Sequence, residues 1–500
     1  MTKLWSSAKP GGRYTLAIVG GLLLAAAFPK IGAAGLAWVA PALIVAAALG
    51  TRPAESFRLG YAAGLAYYLA SYYWLLLIPY RWHGLPLGPA LGWLALSAYL
   101  ALYPALWTWI MANLPFPWPA SRTPNSDRQS IWASLSQFFG CRSWWQRTAW
   151  CLIGAAVWVG LEMILARLFS GFPWDLLGVS QYRLLPLIQI ASVTGVYGVS
   201  FLVVWVSLAL LSAAATLIRQ PSTRSPWFAE VLIPFIVSAV LFNIGFRQLR
   251  QEPPADRTLR VTLIQPSIPQ SLIWDQSMDD ERFQEMLRLS REALTNATDL
   301  LIWPEAALPK LLRYDQQTFD AVTSLAREHR VWMIIGADDM ERTEMPGLKP
   351  GERETPPKFY NSSFLISSAG VLEDRYQKRG LVIFGEYIPL ERWLPFLKFF
   401  TPIPGGFTRG QRPAQFQLPD LGVQTSVLIC FEDIFPGLGR DSAEPDTDFL
   451  VNLTNNGWFG NSAAQWQHGA TSVFRAVENR IPLVRCANNG LTCLVDEHGR

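Results

Sequence analysis

The sequence predicts a chain with two different parts, a multi-span α-helical membrane domain followed by an α/β domain. Long apolar runs are concentrated in residues 1–250, and the composition of 51% hydrophobic and 16% charged residues is unusually apolar for a water-soluble protein. In residues 259–500, strand-like runs alternate with helix-like stretches, which is typical of an α/β fold. A polar, proline-containing linker at 251–258 joins the two domains.

Seven apolar segments in the first domain are candidates for transmembrane helices, because a span needs about 20 apolar residues. They run approximately over 12–28, 33–50, 57–79, 88–113, 148–167, 187–218 and 227–246. The first segment could instead be a signal peptide, but no cleavage motif with a soluble sequel follows it. The sixth is long enough to tilt or to extend out of the bilayer. We therefore predict seven spans.

The basic residues between these segments indicate that the N-terminus is cytoplasmic, according to the positive-inside rule. The eleven on that side are Lys3, Lys9, Arg13, Arg52, Arg58, Arg122, Arg128, Arg142, Arg147, Arg219 and Arg224, and the four on the other side are Lys30, Arg81, Arg167 and Arg183. After seven spans, the second domain is expected outside the cytoplasm.

Two features of the first domain suggest roles beyond spanning. The loop 114–147 contains Trp132, Phe138 and Phe139, which suit a helix in the headgroup region, although an aromatic belt around ordinary span ends explains them equally well. Glu162 lies inside the fifth segment, where an ionisable residue indicates function unless it reaches the membrane interface.

Charge and ligand patterns exclude several classes of function. The net charge is +4 and no lysine- or arginine-rich run is present, so we predict no nucleic-acid partner. The cysteines and histidines lack ligand spacing, so we predict no metal and no cofactor. Cys141 and Cys151 are expected to be structural. Cys486 and Cys493 could form a disulfide in an oxidising compartment, and the sequence leaves this open.

The second domain reads as an ordered series of strands and helices. Strands are predicted at 259–266, 299–305, 331–337, 360–367 and 371–377, and helices near 278–295 and 316–330. The runs LLIW and VWMIIG do not alternate between apolar and polar residues, so both faces of these strands are expected to be covered.

Polar residues stand at the ends of these strand-like runs. They are Glu305, Lys378, Glu386 and Cys430, the last at the end of the apolar run in VLICFEDIFP. Each has an ordinary explanation alone, such as a helix cap, a surface lysine, a turn or a packed cysteine. As a set, a carboxylate, a lysine and a cysteine meet the requirements of acyl transfer through a thioester.

Ordered motifs along almost the whole chain give it a family resemblance. They are SGFPWDLLGVSQ and TGVYGVSFLV in the first domain, and IQPSIPQSLIWD, WPEAALP, FGEYIPLE, ICFED and NLTNNGWFGNSAAQWQHGATSVFRAVENRIPLVRCANNGLT in the second. The chain resembles the apolipoprotein N-acyltransferases of the bacterial inner membrane, whose second domain belongs to the nitrilase superfamily. This resemblance implies an α-β-β-α sandwich at 259–500. The family has a further span after that domain, so we expect the domain to be cut short at its C-terminus here.

The resemblance also implies roles for individual residues. Glu305 matches the general base, Lys378 the lysine that stabilises the oxyanion, and Cys430 the nucleophile. The implied reaction is ping-pong: a phospholipid donates a fatty acyl chain to Cys430, and the α-amino group of a diacylglyceryl-modified apolipoprotein accepts it. The expected location is the bilayer of the inner membrane, with the catalytic domain on the periplasmic side.

Four further positions carry over as supporting or substrate-contact residues. Glu386 matches a glutamate needed close to the triad, and Glu432 and Trp274 match positions implicated in activity or substrate contact. Phe431 stands where tyrosine is common in the family. The apolar loop 393–406 could enter the outer leaflet and admit acyl chains, or it could be the packed end of a core helix.

Two other functions remain open at this point. The same triad would serve a membrane-tethered amidase or nitrilase-type hydrolase with water as the acceptor. A transporter or scaffold with a ligand-binding outer domain is the other alternative, although charged residues at the membrane midplane and paired broken helices are not evident.

Overall fold

The computed structural model describes residues 10–79, 87–114, 130–140, 142–219, 226–251, 258–273, 275–342, 356–391, 393–396 and 406–500. The chain divides into two compact units. One consists of Met1–Leu76 with Ala90–Gln251, and the other of Leu77–Pro89 with Glu252–Arg500.

The described part of the first unit contains helices and no β-strand. Its α-helices are α1 (Pro10–Ala27), α2 (Ala40–Ala48), α3 (Pro53–Ser71), α4 (Gly88–Leu100), α5 (Leu102–Asn113), α6 (Ile131–Gly140), α7 (Trp144–Leu165), α8 (Leu185–Ile188), α9 (Ala191–Thr194), α10 (Val196–Arg219) and α11 (Pro226–Gln248). Each predicted apolar segment therefore contains helix.

Four of the helical stretches are long and apolar enough to cross a membrane. They are Gly88–Asn113, Trp144–Leu165, Val196–Leu217 and Phe228–Gln248, and the shorter apolar helices are Gly11–Ala27, Ala34–Ala48 and Leu185–Thr194. This composition is that of a membrane domain. The number of seven spans and the orientation of the chain stay predictions.

The sixth apolar run is not one continuous helix. Gly195 follows α9 with φ +65°, and α10 starts at the next residue. Backbone with positive φ is readily adopted only by glycine, which has no Cβ to clash with the carbonyl oxygen. The membrane-length helix of this run therefore starts at Val196, not at the start of the predicted segment.

Buried charges hold several helix ends together within this unit. Arg13 of α1 donates to the carbonyl oxygen of Leu49 beyond α2 at 3.1 Å. Arg147 of α7 donates to Glu230 of α11 at 2.6 Å, and the hydroxyl of Ser212 on α10 also donates to Glu230.

The predicted helix in the loop 114–147 is present as α6, but part of its aromatic face points inward. Phe138 and Phe139 are buried with their rings 5.4 Å from that of Trp150, whereas Trp132 is exposed. The first half of this loop and Cys141 lie outside the described residues. The aromatic residues therefore divide between packing and exposure.

Glu162 is buried and hydrogen-bonded within the helical unit. Its Oε1 accepts from the indole N–H of Trp158 at 3.0 Å and from the backbone N–H of Leu177 at 2.7 Å. The carboxylate thus connects α7 to the segment that follows it and does not reach out from the helix end.

The second unit contains two five-stranded mixed sheets. Their strands are β1 (Val261–Leu263), β2 (Leu300–Trp303), β3 (Trp332–Glu341), β4 (Lys358–Ile366), β5 (Leu372–Gln377), β6 (Gln415–Leu418), β7 (Val423–Ile429), β8 (Phe449–Thr454), β9 (Leu483–Ala487) and β10 (Cys493–Val495). The orders are β1-β2-β3-β4-β5 and β10-β9-β8-β7-β6. In each sheet three strands run parallel, β1–β3 and β7–β9.

Helices cover the outer faces of these sheets. They are α12 (Gln270–Ile273), α13 (Asp279–Ala293), α14 (Gln316–His329), α15 (Pro436–Ser442) and α16 (Ala464–Asn479). On β2, Leu300 and Ile302 pack in the core between the sheets, and Leu301 and Trp303 pack with α13 and α14. Both faces of β2 are covered, as expected, and the α-β-β-α sandwich is confirmed.

The possible pairing of Cys486 with Cys493 is not formed in this fold. Cys486 lies in the core between the sheets, and its Sγ donates to the carbonyl oxygens of Ile264 and Ile302, each at 3.4 Å. Cys493 is opposite Arg485 in the β9–β10 ladder. Because neighbouring residues on a strand point to opposite faces, the two thiols are on different sides of the sheet and both are free.

The buried pair of Arg147 and Glu230 generates a stability prediction. Glu230→Leu leaves the guanidinium buried without its partner, so we expect the free energy of unfolding to fall by about 3–5 kcal/mol. Thermal unfolding in detergent measures this loss. The double variant Arg147→Met/Glu230→Leu removes both charges and should recover most of it, and a double variant as unstable as the single one would contradict the assignment.

Candidate active site

Three strand ends bring the predicted reacting groups to one edge of the sandwich. Glu305 follows β2 by two residues, Lys378 directly follows β5, and Cys430 directly follows β7. The side chains of Glu305 and Lys378 are buried, and Cys430 is partly buried. Residues that are distant in the sequence therefore meet where the strands of both sheets end.

A compact ionic cluster is the centre of this site. The Lys378 Nζ lies 2.8 Å from Glu386 Oε1 and 3.2 Å from Glu305 Oε1. Asn361 on β4 donates its Nδ2 hydrogens to the same two oxygens, at 2.9 and 2.8 Å. Burial by itself would lower the pKa of Lys378, but the two carboxylates and the nearby Cys430 outweigh it and hold the pKa well above the ordinary value. The lysine is therefore an ammonium ion at neutral pH.

A glycine on the neighbouring strand makes room for Glu305. A Cβ at Gly336 would lie 2.3 Å from the carbonyl oxygen of Pro304 and 2.8 Å from the Glu305 Cα. No side chain fits at such distances, so β3 can approach the end of β2 only with glycine at this position.

Cys430 occupies a strained backbone position at the start of a short 3-10 turn. Its φ is +49°, in the left-handed region that residues other than glycine seldom adopt. Burial raises the pKa of the Cys430 thiol to about 12; the charge of Glu305 adds to this rise and Lys378 opposes it. The thiol is therefore protonated at rest, and its activation requires a base that takes the proton.

Glu432 binds backbone N–H groups on two segments of the site. Its Oε1 accepts from the backbone N–H groups of Arg379 and Gly380 at 2.6 and 2.8 Å, and its Oε2 accepts from that of Ile429 at 2.7 Å. The hydroxyl of Tyr376 lies 2.8 Å from Oε1. One buried carboxylate thus ties the end of β7, which carries Cys430, to the segment that carries Lys378.

A second buried hydrogen-bond network includes the backbone carbonyl group of Cys430. The His468 Nε2 lies 2.6 Å from Asp433 Oδ1 and 3.2 Å from the carbonyl oxygen of Cys430. Arg485 donates to Asp433 Oδ2 at 2.6 Å, as does the hydroxyl of Ser472 at 2.7 Å. Burial would raise the pKa of Asp433, but His468 and Arg485 lower it below the ordinary value, so this carboxyl stays ionised.

The remaining predicted residues are not part of the ionic cluster. Phe431 is buried and its ring packs edge-on to that of Phe435 at 5.1 Å. Trp274 lies outside the described residues, as do 397–405 of the apolar loop. In the described part of that loop, Trp393 is 79% exposed and Phe396 is 54% exposed, so this end is not the packed end of a core helix.

Sequence reasoning missed two residues that the structure brings to the site. Asn361 lies in the buried run YNSSFLI. A polar residue that faces the interior of the sheet in such a run was a usable signal for a functional position. His468 showed no ligand spacing, and nothing local connected it to Cys430, which is 38 residues earlier. Its place depends on the packing of α16 against the turn after β7.

Comparisons with known proteins cover both units. Residues 260–500 match the carbon-nitrogen hydrolase family, and residues 20–209 match the N-terminal domain of apolipoprotein N-acyltransferases. An apolipoprotein N-acyltransferase of Geobacter metallireducens is 37% identical over 98% of this chain and 86% of its own. Another, from Methylococcus capsulatus, is 32% identical over 97% of this chain and 86% of its own.

Among solved structures, the chain is similar to the crystal structure of a carbon-nitrogen hydrolase from Helicobacter pylori. The identity is 15%, and the alignment covers 44% of this chain and 79% of that one with a TM-score of 0.33.

The network behind Cys430 generates a prediction for His468. His468→Leu leaves buried polar groups of Asp433 and Cys430 without this partner, so we expect a loss of about 1–3 kcal/mol in unfolding free energy. Because the strained backbone at Cys430 loses a support, alkylation of its thiol by a small reagent should change in rate. Thermal unfolding and labelling followed by peptide mass spectrometry measure both effects. His329→Leu, on the exposed surface of α14, is the matched control, and equal behaviour of the two variants would contradict the supporting role.

Proposed function

Because the chain belongs to the apolipoprotein N-acyltransferase family, we propose that it transfers a fatty acyl chain from a membrane phospholipid to a lipoprotein. The acceptor is the α-amino group of the lipid-modified N-terminal cysteine, and the acyl chain passes through a thioester on Cys430. The observation that carries this proposal is the buried ammonium of Lys378, held between Glu305 and Glu386 beside a cysteine at the end of a strand.

In the first half of the reaction, the Cys430 sulfur attacks the ester carbonyl of the phospholipid. Since the thiol is protonated at rest, Glu305 takes its proton as the sulfur attacks. Both hydrogen bonds of Glu305 described above end on Oε1, so Oε2 is the oxygen that can take this proton. The same proton then goes to the departing alkoxide, and a lysophospholipid leaves.

Lys378 supports this step by its charge. An ammonium group that is already in place stabilises the oxyanion as it develops and needs no reorganisation at that moment. Glu386 and Asn361 keep it there, because Glu386 Oε1 binds the ammonium and Glu386 Oε2 accepts from the Val382 backbone N–H at 2.9 Å. Glu386 is therefore a positioning residue for Lys378 in this proposal.

In the second half, the acceptor amine attacks the thioester carbonyl. The N–C bond forms, the C–S bond breaks, and Glu305 moves a proton from nitrogen to sulfur. Both substrates are lipids, so in this proposal the α/β domain at 259–500 works at the bilayer surface. We propose the inner membrane of a bacterium, with the N-terminus in the cytoplasm and the α/β domain in the periplasm.

Mass spectrometry of the protein after incubation with phospholipid vesicles tests the thioester. We expect an acyl mass on the Cys430 peptide and its transfer to a diacylglyceryl-modified peptide that is added afterwards. Glu305→Gln should slow formation of the acyl enzyme by about 10²–10⁴-fold, because the general base is lost. Cys430→Ala should give neither product.

A surface carboxylate provides the matched control for this experiment. Glu292→Gln, on the exposed face of α13, should acylate like the unmodified protein. Release of free fatty acid without N-acylated peptide would instead support the hydrolase alternative. An acyl enzyme that forms at a normal rate in Glu305→Gln would remove Glu305 from the proposed role of base.

A further inference from the structure

A third carboxylate lies on the same face of the first sheet as the proposed triad. Along β3, the side chains of Trp332 and Ile334 point into the core between the sheets. Side chains alternate along a strand, so Gly336 and Asp338 continue that face. Gly336 is the position that β2 and Glu305 approach closely, and Asp338 is the next residue on the face toward the site edge.

The pairing of β3 with β4 fixes the partner of Asp338. Asp338 is directly opposite Asn361 in the antiparallel register, and directly opposite residues point to the same face. Asn361 is the residue whose amide nitrogen binds both Glu305 and Glu386. Asp338 is therefore one side chain away from the ionic cluster.

The charges around Asp338 come from each element that packs against it. Partial burial is the largest of the effects that raise the pKa of Asp338 to about 7. The negative charges of Glu305 after β2 and Glu386 after β5 also raise it, while Lys378 opposes the rise. The neighbouring Asp339 adds a smaller effect. It faces the opposite side of the sheet and is paired with Arg313 and Arg375. Asp338 thus exchanges its proton near neutral pH. It lies beside two glutamates that share the ammonium group of Lys378.

The second half of the proposed reaction releases a proton for which the triad alone provides no acceptor. An α-amino group has a pKa of about 7.7–8.0 and reaches the site mainly as an ammonium ion at neutral pH. Conversion of this ammonium to an amide releases two protons. Glu305 carries one of them to the leaving sulfur, and the other needs a second acceptor.

We propose that Asp338 takes up this second proton, acting through Glu305, when the acceptor amine attacks the thioester on Cys430. This proposal rests on the function proposed above. The ammonium N–H bond breaks and its proton passes through the Glu305 carboxylate to Asp338. The N–C bond then forms, the C–S bond breaks, and the remaining proton goes to sulfur. Asp338 returns its proton to water after the amide product leaves, which balances the reaction.

Asp338→Asn tests this by removing ionisation and keeping the size of the side chain. Purified acyl enzyme is mixed with a diacylglyceryl-modified peptide, and the rate of thioester loss is measured from pH 6 to pH 9. In the unmodified protein the rate should rise as Asp338 ionises near pH 7. In the variant it should rise only with the amine's own ionisation near pH 8, which makes it about 5-fold slower at pH 7 and nearly equal at pH 9.

Two further measurements separate this role from a structural one. Hydroxylamine is uncharged at neutral pH and brings no surplus proton, so it should release the acyl chain from the variant and the unmodified protein at equal rates. Asp338→Glu restores a carboxylate and should restore the rise near pH 7.

The possible outcomes decide between the two proposals. An unchanged pH profile in Asp338→Asn overturns the role of Asp338, as does equal slowing with hydroxylamine and with peptide. If the asparagine variant does not fold, the pH profile of Asp338→Glu decides. A rate that rises only near pH 8, where the amine itself titrates, then overturns the role of Asp338. Absence of any acyl thioester on Cys430 in the unmodified protein overturns the proposed function itself.

Discussion

A lysine ammonium that is almost completely buried has to be paired, because an isolated charge in a protein interior costs several kcal/mol. Lys378 meets this need with Glu305 and Glu386, which come from two different parts of the chain. Asn361 on a third strand ties both carboxylates together. The strand ends of the first sheet are therefore held in place by one charge cluster, and the cysteine of the second sheet meets that cluster only if both sheets keep their registers.

The backbone strain at Cys430 is maintained by buried polar groups on both sides of it. Glu432 accepts hydrogen bonds from the backbone on either side of the site, and His468 with Asp433 holds the turn from behind. Strained conformations persist only where the surroundings over-determine them. The residues next to Cys430 in the sequence therefore hold its backbone geometry, and the residues of the charge cluster come from other parts of the fold.

This division explains how much could be predicted from the sequence. Apolar runs and helix-period stretches located the helical unit, the five strands of the first sheet and the cysteine at the end of β7, but not β6, β8, β9 or β10. Relatives that match almost the whole chain confirm the family resemblance. Asn361 could have been noticed as a polar residue in a buried run, but its partners depend on the antiparallel registers of β3, β4 and β5, which no local pattern determines. The open question about Cys486 and Cys493 also depended on register, because that decides which face each thiol occupies. The roles of Glu305, Lys378 and Cys430 stay predictions.

The two halves of the proposed reaction differ in their count of protons. Transfer of the acyl chain to sulfur is neutral in protons, because the thiol proton leaves with the alcohol. Acylation of an acceptor that arrives as an ammonium ion releases one proton more than the sulfur can take. A site with Asp338, Glu305 and Glu386 around a single lysine has one carboxylate beyond those that pair with the ammonium or serve the sulfur. Burial and the charges of Glu305 and Glu386 raise the pKa of Asp338 to about 7, and Asp338 is therefore the group that we propose to take up the surplus proton of the acceptor amine.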